Sequence, residues 1–515
     1  MAMNFIGCDR DQVFLMPPSL REWLPADHLV WTVLDAVAEM DLGAFYAAYR
    51  ADGHGRPAYE PSMVVALLLY AYARGNRSSR AIERACVEDV AYRVLAANLV
   101  PDHSTIADFR VRHEAALAEL FTGVLGLCRQ AGLVSVGMIA IDGTKVAANA
   151  SREANRSYGQ IAREILAEAA ETDRREDELY GEARGDELPE QLRTSEGRRA
   201  ALREAKAKLE REAGREAQPD SDEREGAGVE IELDPERFVT RSHGRRAWFR
   251  EARRGLEGQR EQEARPIARS RLERLGESAR RLEEELAVEH LANAAYEAWR
   301  QRGVAADGSR RMAPGTTKPY RPSELPAGTI NTTDPDSRLV KTVGRALQGY
   351  NAQAAVNERQ IVVAAEVTVD SPDFGHLEPM VDATQRELAS IGAESPAVVV
   401  ADAGYWHKRQ MEKVVDRGIQ VLIPPDSGLR KSARPGWDGG LYAFMRRVLS
   451  TDQAKALYRK RQATVEPVFG QMKFNRGFDR FGRRGRSACR SEWRLFGASH
   501  NLLKLHSHRI AAAGA

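Results

Sequence analysis

Cysteine is scarce in this 515-residue chain: four residues, Cys8, Cys86, Cys128 and Cys489, lie far apart and form no C-x-x-C pair. That spacing argues for reduced thiols and against a zinc site or a disulfide frame. Long apolar runs are also missing. The longest, Met63–Tyr72, is too short to span a bilayer, so no membrane association is expected. The opening residues, MAMNFIGCDRDQ, carry no basic stretch followed by an apolar one. No secretory signal is therefore expected, and the chain reads as cytoplasmic. Neither a P-loop nor an HExxH motif is present, which removes support for an NTPase or a zinc protease. A net charge of one sign is lacking as well: 76 basic and 74 acidic residues leave only +2. The informative question is then where each sign collects.

Hydrophobic residues make up 43% of the chain, enough for a sizeable core, and the length suggests about three domains as a prior. Residues 1–130 read as an all-α N-terminal domain. Pro61-Ser62-Met63 opens an apolar segment that runs to Tyr72, and Ala81–Ala97 forms a second, amphipathic one. Ser78 or Ser79 suits an N-cap, because a hydroxyl can accept from the free amides of a first turn, and Glu83 lies near the capping-box spacing. Asp102-His103-Ser104-Thr105 opens another helix. Arg74, Arg77, Arg80, Arg84, Arg110 and Arg112 along these helices fit a helix-turn-helix-like DNA-binding unit; a helical bundle with a solvated arginine face fits equally.

Residues 131–150 hold the first strand of a second domain. Val136–Ile141 is a continuous apolar run that stops at Asp142, followed by Gly143-Thr144-Lys145. Such a run suggests a strand buried on both faces, and a carboxylate at its C-terminal end sits where open α/β sheets place ligands. An ordinary Asp-Gly turn is the other reading. Residues 151–330 are dense in Arg, Glu and Ala and poor in aromatics. They read as a long helical insertion, coiled or partly disordered, with Leu202–Arg215 and Arg269–Arg302 as solvated helices. Within it, arginines interleaved with Trp248 and Phe249 over Arg241–Arg254 suit a phosphate backbone and an unpaired base, if they are not simply solvated.

Strand-like sequence resumes in residues 331–515. Gly349–Val356 and Gln360–Val369 flank a turn at Asn357-Glu358-Arg359, His376–Ile391 is helical, and Pro396–Val400 ends in Ala401-Asp402-Ala403-Gly404. Lys408–Arg417 is helical, and Ile419–Ile423 is a further strand. The alternation predicts a mixed α/β sheet. Beyond Pro425 the chain turns basic, with Lys473, Arg476, Arg480, Arg483, Arg484, Arg486 and Arg490 following Glu466, and Phe474, Phe478 and Phe481 among them. A polyanion is the partner this implies.

Asp142 and Asp402 share a pattern: an apolar run, Asp, then Gly within two residues. On parallel neighbouring strands they would lie at one sheet edge, where they repel unless they share cations. Hard oxygen ligands favour magnesium or manganese, and two such ions suit phosphodiester displacement. Glu466, inside the basic region, is the candidate third carboxylate. Asp334, Asp336, Asp370 and Asp373 stand beside Pro and read as turn formers. Glu378 and Asp382 read as a solvated helix face, and His103, His376, His407 and His500 have no metal-ligand spacing.

In combination, several stretches resemble a known family: AIDGTKVAANAS (140–151), TDPDSR (333–338), GYNAQAAV (349–356), ADAGYW (401–406), YRKRQATVEPVFGQMK (458–473) and EWRLFGASHNLLKL (492–505). They resemble DDE-type transposases of bacterial insertion sequences, and residues 59–112 are similar to the helical domain that precedes the core in those enzymes. The resemblance implies a ribonuclease-H-like α/β core and a DDE triad of Asp142, Asp402 and Glu466 holding two magnesium or manganese ions. It implies cleavage at the element's ends, strand transfer into target DNA, and a homodimer or higher assembly on double-stranded DNA at the nucleoid. Lys145, Tyr458, Arg461, Lys473, Arg476, Arg480, Arg483, Arg484 and Arg80 become candidate DNA contacts. A non-catalytic DNA-binding relative and a nuclease acting on other nucleic acid are the alternatives. Relatives commonly show Tyr-x2-Arg-x3-Glu-x6-Lys; here four residues separate Arg461 from Glu466. On an ideal helix Glu466 and Lys473 share a face that Arg461 does not, and Pro467 predicts a kink or a helix start.

Overall fold

The computed structural model describes residues 5–7, 10, 19–50, 57–135, 137–180, 245–263, 267–268, 270–301, 320–342, 344–426 and 437–514. It divides into two compact units, 1–154 with 333–515, and 155–332.

In the first unit, β1 (Phe5–Ile6) pairs in parallel with β2 (Ala58–Tyr59). Helices then run over Leu29–Glu39, Pro61–Ala73, Ser79–Glu88, Val90–Leu95, His103–Arg112 and Glu114–Gln130. Their starts follow the expected capping chemistry. Ser78 Oγ accepts from the Ala81 amide at 3.4 Å, and Asp102 Oδ1 accepts from the Thr105 amide at 2.9 Å. Glu83 takes no part in a capping box; its carboxylate meets His103 Nδ1 at 2.9 Å. The Pro61–Ala73 helix is buried nearly all round, so it carries no one-sided apolar stripe.

The sheet starts with β3 (Met138–Ala147). After the second unit come β6 (Arg338–Thr342), β7 (Arg345–Asn357), β8 (Val362–Thr368), β9 (Val398–Ala401) and β10 (Gln420–Leu422). The order is β10-β9-β3-β7-β6, with β8 also on β7. β10, β9 and β3 are parallel; β7 is antiparallel to β3, β6 and β8. This is the mixed α/β sheet the alternation predicts, with one strand, β6, that the sequence reading did not separate. The expected turn is present: the Gln360 amide bonds to the Asn357 carbonyl at 2.8 Å, with Gln360 at φ +61°. Helix Leu377–Ser390 connects β8 to β9, and Lys408–Asp416 connects β9 to β10. Helices Gly440–Ser450, Asp452–Gly470 and Arg486–Ala513 complete the unit. One apolar core joins the N-terminal helices, the sheet and the last helix.

Three of the aspartates read as turn formers pin this frame. Asp334 is fully buried and accepts from Tyr350 Oη at 2.7 Å and from the Gly485 amide at 3.2 Å. Asp336 accepts from the Arg486 amide at 2.8 Å, which places a negative charge at the start of the last helix. Asp370 faces His376 Nε2 at 3.2 Å. Glu378 meets Lys413 at 2.9 Å on a solvated face, where Arg417 pairs with Asp382.

The second unit holds β4 (Asn155–Arg156), antiparallel to β5 (Ile330–Asn331), and helices Tyr158–Tyr180, Arg245–Glu263 and Arg271–Gln301. The last two pack together around Trp248, Ala252, Leu256, Val288 and Ala292. Trp248 is therefore not free to stack on a base: it is fully buried, with Tyr296 and Trp299 rings about it at 6.1 and 6.0 Å. Arg245 lies over Tyr296 and pairs with Glu297 at 2.5 Å. The expected helix at 202–215 and the residues 241–244 lie outside the described residues.

Candidate active site

The site forms where two parallel strands part. β3 pairs with β9 from Met138↔Val398 to Ile141↔Ala401, and there β9 ends. β3 does not end at Asp142. It runs on to Ala147 against β7, with Asp142↔Ala354 in register, so Asp142-Gly143 is extended strand and not a turn. The chain after Ala401 bends instead, into a short turn over Ala403–Tyr405, with Asp402 Oδ1 accepting from the Gly404 amide at 2.8 Å. Asp142 and Asp402 thus follow a register pair on strands about 5 Å apart. Both expected aspartates meet at one edge.

Their carboxyls are shifted together. Burial pushes Asp142 up to about 6; the nearby Asp402 charge adds to this, while Arg461 opposes it. Burial also raises Asp402, assisted by Asp373 and opposed by the Gly404 amide, Arg461 and Lys145. Desolvation and like charge both disfavour the ionised pair, which is the condition a bound cation relieves.

Arg461 reaches this edge from the Asp452–Gly470 helix. Its Nη1 donates to Asp142 Oδ2 at 2.9 Å, and the guanidinium lies over the Tyr458 ring. Arg461, Thr464, Val465 and Val468 are the buried stripe of that helix. Glu466 falls off the stripe, about 140° round from Arg461. It is exposed, and it has no hydrogen-bond or ion-pair partner among the described residues. Among the described residues, no group of three or more His, Cys, Asp and Glu side chains gathers closely enough to hold a metal ion. Two of the expected three acids converge here, and Glu466 does not join them. Pro467 neither starts nor interrupts the helix, which runs through it. The Ala463 carbonyl, left without the proline's N–H, accepts from Gln360 Nε2 at 3.0 Å.

A third acid does stand beside the pair: Asp373, from the turn after β8. Its Oδ1 accepts from Lys145 Nζ at 3.1 Å, Asn351 Nδ2 at 2.8 Å and Gln353 Nε2 at 2.9 Å. Beside Pro372, Asp373 has the sequence appearance of a turn former; the glycine directly after Asp142 is the sequence signal of the crowding here. A β-carbon on Gly143 would meet Gln353 Nε2, Asp373 Oδ1 and Asn351 Oδ1 at under 3.0 Å, and one on Gly404 would lie 3.6 Å from Asp373. Gly143 gives Asp373 room, whereas at Gly404 the tight contact would be with Asp402 Oδ1, at 2.9 Å.

Two family models match the chain. Residues 18–112 match a transposase domain (DUF772). Residues 438–506 match a transposase DDE domain. The chain is similar to DDE-type transposases of insertion sequences. The DDE match takes in Tyr458, Arg461, Glu466 and Lys473 and leaves out Asp142 and Asp402. No curated protein and no solved structure matches the chain.

The basic residues of this transposase-like region divide sharply. Arg476, an expected DNA contact, is instead buried: it donates to Ser499 Oγ at 3.0 Å, lies 4.2 Å over Phe496, and is lowered to about 9 by burial. Arg483 pairs with Glu114 at 2.6 Å and Arg490 with Glu366. Lys473 donates to the Lys145 carbonyl at 2.9 Å, and Lys145 itself is tied to Asp373. Arg80, Arg480 and Arg484 remain exposed, Arg484 with its Nε on the Asn149 carbonyl at 2.9 Å. Phe478 and Phe481 are core, whereas Phe474 is 87% exposed.

Proposed function

We propose that the protein is a DNA transposase with a ribonuclease-H-like core, cutting at the ends of an insertion sequence and transferring the freed strands into target DNA. The observation that carries this reading is the adjacency of Asp142 and Asp402 at the parting of β3 and β9, with Arg461 of the DDE-matched region on Asp142. The mixed sheet and the helical N-terminal region support it.

The donor set fits a hard cation. Asp142 and Asp402 would hold magnesium or manganese, with Glu466 the third ligand brought in on the Asp452–Gly470 helix, and two ions are expected from the resemblance. A bound divalent ion supplies Lewis acidity and an activated oxygen nucleophile. The protein's own groups do the rest. Arg461 holds Asp142 in its rotamer and keeps a positive charge at the reacting edge. Tyr458 walls the same edge. Of the expected contacts, the exposed Arg80, Arg480 and Arg484 supply charge to position double-stranded DNA, in a homodimer or higher assembly that pairs two ends.

The test is cleavage and strand transfer on DNA carrying the element's ends, in magnesium, with Asp142→Asn and Asp402→Asn. Both variants should lose cleavage by at least about a hundredfold and keep DNA binding. Full cleavage by either overturns the reading. Cleavage without strand-transfer products points to a nuclease, and tight binding with no cleavage by the wild type points to a non-catalytic relative. Among the described residues no helix is long and apolar enough to cross a membrane. We take the working location to be the cytoplasm, on nucleoid DNA.

A further inference from the structure

Lys145 and Asp373 are more organised than an incidental ion pair. Their side chains are 16% and 20% exposed. All three donors on Asp373 converge on the same oxygen, Oδ1, from Lys145, Asn351 and Gln353. The amides are themselves fixed. Tyr405, fully buried, donates its hydroxyl to Gln353 Oε1, which turns Gln353 Nε2 toward Asp373. Asn351 is fully buried, and with its Nδ2 on Asp373 its Oδ1 has no partner. That orphaned oxygen lies beside Gly143, next to Asp142. A buried amide oxygen without a donor costs stability, and a cation or its water would satisfy it. The Lys145 backbone is anchored too, by Lys473 Nζ on its carbonyl.

The ammonium sits close enough to Asp402 to act on its carboxyl, yet its hydrogen bond goes to Asp373. We propose that Asp373 is a positioning residue that parks the Lys145 ammonium to one side of Asp142 and Asp402, and so keeps a divalent cation's competitor out of their site. This rests on the reading of Asp142 and Asp402 as the cation-holding pair. Without Asp373, Lys145 has Asp402, whose carboxyl it already acts on and which no ion pair holds among the described residues, as its alternative partner, and it moves onto the edge that Asp402 shares with Asp142.

The experiment is a titration of the full chain with Mn2+, followed by the paramagnetic resonance of the free ion. Asp373→Asn keeps an oxygen for the two amides and removes only the charge. It should weaken Mn2+ binding on the order of tenfold. Asp373→Asn with Lys145→Met should return to the wild-type affinity, because the competing ammonium is gone. Lys145→Met alone should bind at least as tightly as the wild type, a test that does not depend on any change at Asp373. Unchanged binding in Asp373→Asn, or weaker binding in Lys145→Met, overturns the proposal. A double variant that stays weak makes Asp373 a direct ligand and also overturns it. Asp142→Asn and Asp402→Asn separate the two levels. If they bind Mn2+ like the wild type, the underlying site is wrong and the role of Asp373 falls with it. If they lose binding while Asp373→Asn does not, only the role of Asp373 fails.

Discussion

Arg461 donates to Asp142 across 319 residues of sequence, at 2.9 Å, with side chains only 10% and 18% exposed. The pair is electrostatically tight, yet burial still holds Asp142 near 6. Arg461→Met leaves that carboxylate buried and unpaired. At pH 7.5 the loss should be about 3 kcal/mol, the usual scale for removing one partner of a buried pair. At pH 5 Asp142 is largely protonated in the wild type, so the same substitution should cost much less. The sign follows from proton binding. A raised carboxyl is protonated in the folded chain where the unfolded chain has already released its proton. Its contribution to stability is therefore lost as pH rises from about 4 through about 6. Asp334, also held near 6, adds to the wild-type slope in the same window, and it is common to both proteins. Denaturant unfolding of both at pH 5 and 7.5 checks this. An equal cost at the two pH values would show that Asp142 does not titrate as the geometry requires.

Gly143 tolerates no side chain, because a β-carbon there meets two amides and a carboxylate at under 3.0 Å. The strand is otherwise regular around it, paired through Gly143↔Gln353. Gly143→Ala should therefore displace Asp373 and Gln353 before it disturbs the fold. Overpacking of this kind costs about 1–3 kcal/mol. Mn2+ affinity should fall with it, as is expected for Asp373→Asn. A variant with wild-type melting and wild-type Mn2+ binding would mean that the turn bearing Asp373 moves freely.

The aspartate pair was legible because it depends on local signals: two apolar runs, each closed by Asp, that the alternation of elements makes parallel neighbours. Asp373 was not, because a Ser-Pro-Asp turn has the same appearance wherever it lands, and only the return of β8 against β7 carries it to Asp142. Arg461 is a different case. It lies off the face that Glu466 and Lys473 share on an ideal helix, whereas the sheet selects the stripe Arg461, Thr464, Val465 and Val468. That i, i+3, i+4, i+7 spacing is readable in the sequence, and it places an arginine in an apolar seam. The C-terminal arginines looked uniform because composition counts charges and says nothing about partners. Several of those partners are acids or rings more than 100 residues away, as with Glu114 and Glu366.

Those partners separate the basic residues into two kinds that an experiment can tell apart. Arg476→Ala removes a buried guanidinium from over Phe496 and from Ser499, and should lower stability by about 2–3 kcal/mol. It should leave the salt dependence of DNA binding unchanged. Arg480→Ala and Arg484→Ala should each leave melting within about 0.5 kcal/mol and lower the slope of log affinity against log salt by about 1. Binding isotherms at several salt concentrations, run beside thermal melts, give both numbers. A reduced salt slope in a stable Arg476→Ala protein would place Arg476 on DNA after all.

Glu466 offers the sharpest contrast between fold and function. It is exposed on the helix that carries Arg461, and nothing among the described residues holds it. Glu466→Gln should therefore change stability by no more than about 0.5 kcal/mol. If it is the third ligand, the same substitution should still reduce cleavage by at least about a hundredfold. The two outcomes together require the helix to present Glu466 differently when DNA and cations are bound, because Arg461 occupies the inward face in the free protein. Arg461 would then have to yield Asp142 as Glu466 approaches. Stopped-flow fluorescence of Trp406, which lies just past Asp402 in the chain, should register that step when DNA ends and Mg2+ are mixed with the protein. Full cleavage by Glu466→Gln removes the need for any such movement and leaves Asp142, Asp402 and their neighbours as the whole acidic site.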